Sequence, residues 1–186
     1  MKVTEINLKD NIKFNFDKGE VFFGPLRLII INYASFEQLL REIIDTGGAG
    51  LGKVVFRRFG EAAGREDAKL LKKEFKPDTD VDWIAMGPTI QTWEGIVKAT
   101  PTALEFDREK GTFFMQGKWD NSFIAQIWLK AYGASKEPVC WMLSGYATGY
   151  ASEFFGKELV CKETKCIAKG DPHCEFTIKP KEEWQE

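Results

Sequence analysis

At 186 residues, with 44% hydrophobic and 13% aromatic content, the chain is long enough to bury one sizeable core, or two small subdomains sharing one. Its 26 basic and 28 acidic residues leave a formal charge of -2, which excludes the one-signed electrostatic footprint of a nucleic-acid-binding surface. The amino-terminal MKVTEINLKD lacks the apolar run of a secretion signal, and the most apolar stretch, LRLIIIN at 26–32, is far too short to span a bilayer. The expectation is a soluble, cytoplasmic protein whose four cysteines serve as thiols or metal ligands rather than disulfides.

FNFDKGEVFFG reads as two strands around a Lys18-Gly19 turn, and PLRLIII as a third. Ser35 and Gln38 have capping-box spacing, which predicts a helix that Gly47-Gly48 stops, with Leu39, Leu40, Ile43 and Ile44 as its apolar face. The next helical stretch places Val55, Phe59, Ala62 and Ala63 on one face, breaks near Gly64 and resumes to Phe75. KPDTDVD at 76–82 is the best internal boundary, dividing a region 1–80 from a region 81–186. VDWIAMGPTIQTWEG reads as short helical turns broken at Gly87-Pro88, followed by a strand pair around an Asp107–Gly111 hairpin. DNSFIAQIWLKAYG is an amphipathic helix capped by Asp120 or Asn121, and Pro138 and Gly156 bound another. Strands at 158–168 and 174–179 complete an α+β fold with an antiparallel sheet flanked by helices.

CKETKCIAKGDPHCEF, at 161–176, concentrates three of the four cysteines and the only histidine. Cys166 and Cys174 flank a KGDPH turn, so they occupy the facing ends of two antiparallel strands. Glu163 and Cys166 point to opposite faces of a flat strand, so a shared ion requires a bulge at Thr164-Lys165. Cys161 shares a face with Glu163 and competes with it on spacing, and His173 is a second competitor. Cys140, at the head of a helix whose exposed amides favour a thiolate, is a candidate fourth ligand.

The segment EPVCWMLSGYATGYASEFFGKELVCKETKCIAKGDPHCEF, with GPTIQTWEG and GKWDNSF before it, resembles the 4-vinyl reductase-type sensory domain. That domain occurs in the aromatic-effector input modules of phenol-, toluene- and xylene-responsive NtrC-like transcription activators. The resemblance extends over nearly the whole chain. It implies a homodimer formed through an N-terminal dimerisation region, 1–80, and a zinc-containing ligand-binding domain, 81–186. It also implies a closed zinc site of Cys140, Glu163, Cys166 and Cys174, with Cys161 at a position usually aromatic and His173 beside a ligand without being one. Four protein ligands leave no position for a reactive water, so such a zinc is structural. Three thiolates, a carboxylate and the ion sum to about -2, which Lys162, Lys165 and Lys169 are placed to offset.

The helix 138–156 carries Gly145, Ala147, Gly149 and Ala151, small residues that allow close packing or leave space beside aromatics. The expected pocket uses Trp119, Gln91, Tyr146 and Tyr150, with Ile84, Phe113 and Cys161 as further walls. The resemblance implies that Trp119 in GKWDNSF grips a polar atom of the effector and that Gln91 in GPTIQTWEG stands where phenol sensors carry histidine. Glutamine donates and accepts hydrogen bonds but is no near-neutral base. The sequence carries no nucleophile elbow, phosphate loop or dinucleotide fingerprint. The resulting expectation is not an enzyme but a sensory domain that binds a small aromatic effector and regulates an attached or partner ATPase with DNA-binding domains. The alternative is a freestanding carrier or scaffold of the same fold. Neither direct nucleic-acid binding nor a membrane is expected.

Overall fold

The computed structural model describes residues 1–184. The opening alternation forms a three-stranded antiparallel sheet, β1 (Ile12–Asn15), β2 (Glu20–Phe23) and β3 (Leu26–Leu28), after a short helix α1 (Leu8–Asn11). Gly19 and Gly24 turn the chain at φ 63° and 53°, in the left-handed region that glycine enters without steric cost. The third strand ends sooner than its sequence suggests. Beyond Leu28 no neighbouring strand pairs with the chain, and Ile29, Ile30 and Ile31 are exposed, Ile29 to 89%.

Helix α2 (Tyr33–Phe75) departs from three expectations. Its N-cap is Asn32, whose side chain accepts the Ser35 amide at 2.8 Å, so Ser35 already lies inside the first turn. Gly48 leaves helical geometry (φ 77°, ψ 167°) and kinks the helix without ending it. Gly64 is no break at all. Gly60 and Gly64 lie against the backbone of α5 (Trp141–Phe155): a Cβ on Gly60 would sit 2.1 Å from the Met142 carbonyl oxygen, and one on Gly64 2.2 Å from that of Tyr146. Gly145 and Gly149 meet the Arg57 and Glu61 carbonyls equally closely in return. The two helices therefore touch backbone to backbone, which makes these glycines packing residues. The buried stripe of α2 is accordingly Leu40, Ile44, Phe56, Ala68, Leu71 and Phe75 with Gly52, Gly60 and Gly64. Leu39, Val55, Phe59 and Ala62 of the expected faces point outward, and Ile43 and Ala63 are half-buried.

Helix α3 (Asp80–Trp93), capped by Thr79, continues through Gly87-Pro88 instead of breaking into turns. Proline removes one amide from the ladder, and here the Tyr150 hydroxyl enters the gap, donating to the Trp83 carbonyl at 2.8 Å and taking the Gly87 amide as a second partner. Gly87 permits this approach, since a Cβ there would meet the Tyr150 ring at 3.0 Å.

The second sheet has four antiparallel strands in the order β4-β5-β7-β6: β4 (Lys98–Asp107), β5 (Thr112–Asp120), β6 (Leu159–Lys165) and β7 (Cys174–Pro180). Between β5 and α5 runs α4 (Phe123–Tyr132), capped by Ser122 and not by Asp120 or Asn121. Asp120 still pairs with Lys98 in the sheet, and Asn121 makes the turn at φ 59°. Strand β6 stops at Lys165 because Cys166 caps a 3-10 turn, Ile167–Lys169. Alternate residues of the sheet, Phe113, Met115 and Trp119 with Phe176 and Ile178, are buried. Their cluster runs from Ile6 to Ile178 in one piece. The architecture is thus α+β with antiparallel sheets and helices. Among the described residues, no helix is long and apolar enough to cross a membrane.

Candidate functional site

Between α3, α5 and the inner face of the four-stranded sheet lies a cavity. Ile84, Gly87, Pro88 and Gln91 come from α3, Tyr146, Ala147, Tyr150 and Ala151 from α5, and Ala99, Met115, Trp119, Phe176 and Ile178 from the sheet. It is small: the centre of a water-sized sphere can roam about 20 Å³. Ile84, Gln91, Trp119, Tyr146 and Tyr150 are brought together here. Phe113 and Cys161 are not. Phe113 lies farther along β5, opposite the end of α5, where it packs on Phe154 and Phe155. Cys161 on the edge strand β6 pairs with Ile178, and Ile178 reaches the cavity in its place.

The polar resources of the lining are narrower than its composition. Tyr146 donates its hydroxyl to Asp67 Oδ2 at 2.9 Å, and Tyr150 spends its own on the α3 ladder, so both offer ring surface. Burial pushes Asp67 up to about 6, and its Tyr146 hydrogen bond works against that rise. Burial likewise holds both tyrosines well above their ordinary value, so they stay neutral donors. Gln91 and Trp119, 4% and 2% exposed, line the cavity, and among the described residues their side-chain polar groups make no hydrogen bond within the chain.

A second constellation lies beside the cavity. One ligand atom each from Cys140, Glu163, Cys166 and Cys174 falls within 4.8 Å of the others, a grouping that could hold a metal ion. Cys140 caps α5, Glu163 is on β6, Cys166 follows its end, and Cys174 opens β7. The bulge required to turn Glu163 and Cys166 the same way is present: the β6–β7 register shifts between Glu163 and Lys165. Cys161 and His173 fall outside the group. His173 Nε2 is 3.7 Å from Glu175 instead.

Glu163 Oε2 accepts the Cys140 amide at 2.9 Å, whereas its Oε1 is buried with no hydrogen-bond partner. Burial, with Cys166 adjacent, pushes Glu163 up to about 8, and burial also raises Cys140. Hydrogen bonding from Cys140 and Cys174 draws Cys166 down. Such an orphaned oxygen among three thiols is what a soft-to-borderline cation satisfies. The lysines expected to balance this charge have other partners: Lys162 lies over the Trp184 ring, Lys165 pairs with Glu175 and Lys169 with Asp171. Sequence reasoning passed over Ser122, whose Oγ lies 3.1 Å from Cys140 Sγ; its place in GKWDNSF was the available signal. Asp67 and Phe176 were also passed over, and neither stands in a distinctive motif.

Comparison with known proteins gives a consistent picture. Residues 7–107 match the family model described as "Activator of aromatic catabolism", and residues 119–180 match the model of the 4-vinyl reductase domain. The chain is 32% identical over 179 residues to the phenol regulator MopR of Acinetobacter guillouiae, covering 96% of this chain and 32% of that protein. It is 31% identical over 178 residues to the transcriptional regulatory protein XylR of Pseudomonas putida, covering 96% and 31% respectively. The chain thus spans about a third of the length of these relatives. The crystal structure of the phenol-responsive sensory domain of the transcription activator PoxR with phenol superposes with a TM-score of 0.90 at 34% identity, covering 96% of this chain and 89% of that one.

Proposed function

The chain belongs to the activators of aromatic catabolism, and from that premise we propose that it is a sensory module that takes a small aromatic effector into the cavity between α3, α5 and the sheet. Binding there regulates an attached or partner ATPase and transcription activator. The observation that carries this reading is the pair Gln91 and Trp119, two buried polar side chains without partners in the chain, set in an otherwise apolar, aromatic-walled cavity. That the relatives are regulatory proteins supports binding rather than catalysis.

Trp119 has an indole N–H to meet one polar atom, and Gln91 replaces a histidine that would help hold a phenolic hydroxyl. Losing a well-aligned partner to a buried hydroxyl costs about 1 to 3 kcal/mol, roughly one to two powers of ten in affinity. Phenol therefore binds more weakly than a matched methylbenzene or a bulkier phenol, and Gln91→His shifts preference toward phenol. Calorimetric titration of both proteins with phenol, toluene and a xylenol tests this. Absence of binding by all three to either protein, together with a Trp119→Ala variant indistinguishable from wild type, would leave the carrier or scaffold role instead.

The cysteine cluster is proposed to hold a structural zinc through Cys140, Glu163, Cys166 and Cys174. The buried, unpartnered Glu163 Oε1 and the three converging sulfurs support the assignment. The ion supplies positive charge and cross-linking, clamping the head of α5 to the β6–β7 turn. Region 1–80 is proposed to dimerise, with 81–186 as the ligand-binding domain. The exposed Ile29, Ile30 and Ile31, with Phe14, Phe16 and Phe59, support that assignment, since they form more apolar surface than a small sheet covers.

A further inference from the structure

We propose that Phe176, seated over Gly117, sets the size of ring that the cavity accepts; the inference rests on the aromatic-pocket reading above and deepens it. An apolar protein cavity of about 150 Å³ takes up benzene, whereas this one offers about 20 Å³ by the comparable measure. A ring can enter only if a wall gives way, and the walls are not equally free.

The α3 wall is fastened by the Tyr150 hydroxyl at Trp83. On α5, Tyr146 is tied to Asp67, and Gly145 and Gly149 leave no slack against the α2 backbone, where a Cβ would come within 2.1 Å of a carbonyl oxygen. Phe176 has no such fastening. Gly117 and Phe176 are direct partners across β5 and β7, and the phenyl ring lies flat in the notch left by the missing side chain: a Cβ on Gly117 would sit 2.5 Å from Phe176 Cζ. The ring stacks on Trp119 at 4.8 Å between centroids and 24° between planes. An aromatic guest seeking the Trp119 face meets a resident aromatic already on it. A phenyl group with two rotatable bonds, held by dispersion and stacking, is the wall that yields. The side chain at 176 therefore decides how far a guest extends across the sheet toward Gly117.

The test is calorimetric titration of wild type, Phe176→Ala and Phe176→Leu with toluene, naphthalene and biphenyl, each protein first checked for folding by circular dichroism and thermal melting. Wild type is expected to prefer toluene to the two-ring compounds by at least tenfold. Phe176→Ala reverses that order through at least a tenfold gain for naphthalene, and Phe176→Leu, which preserves more of the core, falls between. Folded variants that keep the wild-type ranking overturn the role of Phe176 while leaving the pocket standing. Failure of every ring to bind wild type and variants alike overturns the pocket, and this inference with it.

Discussion

Trp119 and Cys174 face each other in the β5–β7 register, so the strand pair that supplies the cavity's tryptophan also supplies a member of the cysteine cluster. Three residues beyond Trp119, Ser122 places its hydroxyl 3.1 Å from Cys140 Sγ while capping α4 through the Ala125 amide. Cavity and cluster therefore share one turn of backbone, and a change in either is felt at the other through a few covalent bonds and one hydrogen bond.

Ser122→Ala removes a helix cap and a buried partner of the Cys140 sulfur together. Loss of the cap costs about 1 kcal/mol, and loss of a residue that orients a metal ligand weakens metal binding about 10- to 100-fold. Chelator competition measures the second effect apart from the first. Unchanged zinc retention in a less stable variant would make Ser122 a cap and nothing more.

Elemental analysis of the purified protein should find about one zinc per chain. Cys166→Ser loses it, because the remaining groups cannot complete a closed tetrahedron, whereas Cys161→Ser keeps it, since Cys161 lies outside the cluster. Metal-free protein that retains its fold, or full zinc in Cys166→Ser, would sink the structural-zinc assignment.

The bulge at Glu163–Lys165 was legible in the sequence because strand parity demands it: two side chains three apart cannot reach one point from a flat strand. The β4–β5 hairpin and the Gly156 stop were legible because their signals are local. Gly64 and Pro88 misled for the opposite reason. Each reads locally as a helix breaker, and each is rescued by a residue distant in sequence: Gly64 by the α5 backbone, Pro88 by the Tyr150 hydroxyl. The cavity's placement of Gln91 beside Trp119 followed from the family motifs, not from periodicity. Phe113 and Cys161 were misplaced because alternation tells which face of a strand a residue occupies but not how far along it the cavity extends.

The exposed Ile29, Ile30 and Ile31 give a clean test of dimerisation, because substituting them disturbs no buried contact. Ile29→Asp with Ile30→Asp should change monomer stability by no more than about 0.5 kcal/mol, yet convert a dimer to a monomer at micromolar concentration in light scattering. A monomer mass for wild type, or a dimer indifferent to the two charges, would overturn the N-terminal interface. Deleting residues 1–45 is a harsher version that needs a folding control, since Glu37 and Asp45 bond to Lys130 and Tyr132 of α4.

Asp67 gives the chain a pH dependence with a definite sign. Burial raises its pKa from an ordinary 3.8 to about 6 in the fold, so the folded state holds a proton that the unfolded chain releases earlier. Below pH 3.8 the group is neutral in both states and contributes no difference. Between there and about 6 the folded state binds more protons, so stability falls as pH rises; above about 6 the full cost of the buried carboxylate is present. That cost is at most about 3 kcal/mol, and on the order of 1 to 2 after partial solvation. Asp67→Asn removes the charge but leaves a carbonyl oxygen to accept the Tyr146 hydroxyl, so the wall of the cavity keeps its tether. Urea denaturation should find the variant more stable than wild type at pH 7.5, with the gap shrinking toward pH 4.5. A gap that is absent, or constant across that range, would mean that Asp67 is solvated like any surface carboxylate and that Tyr146 is held by an ordinary acceptor.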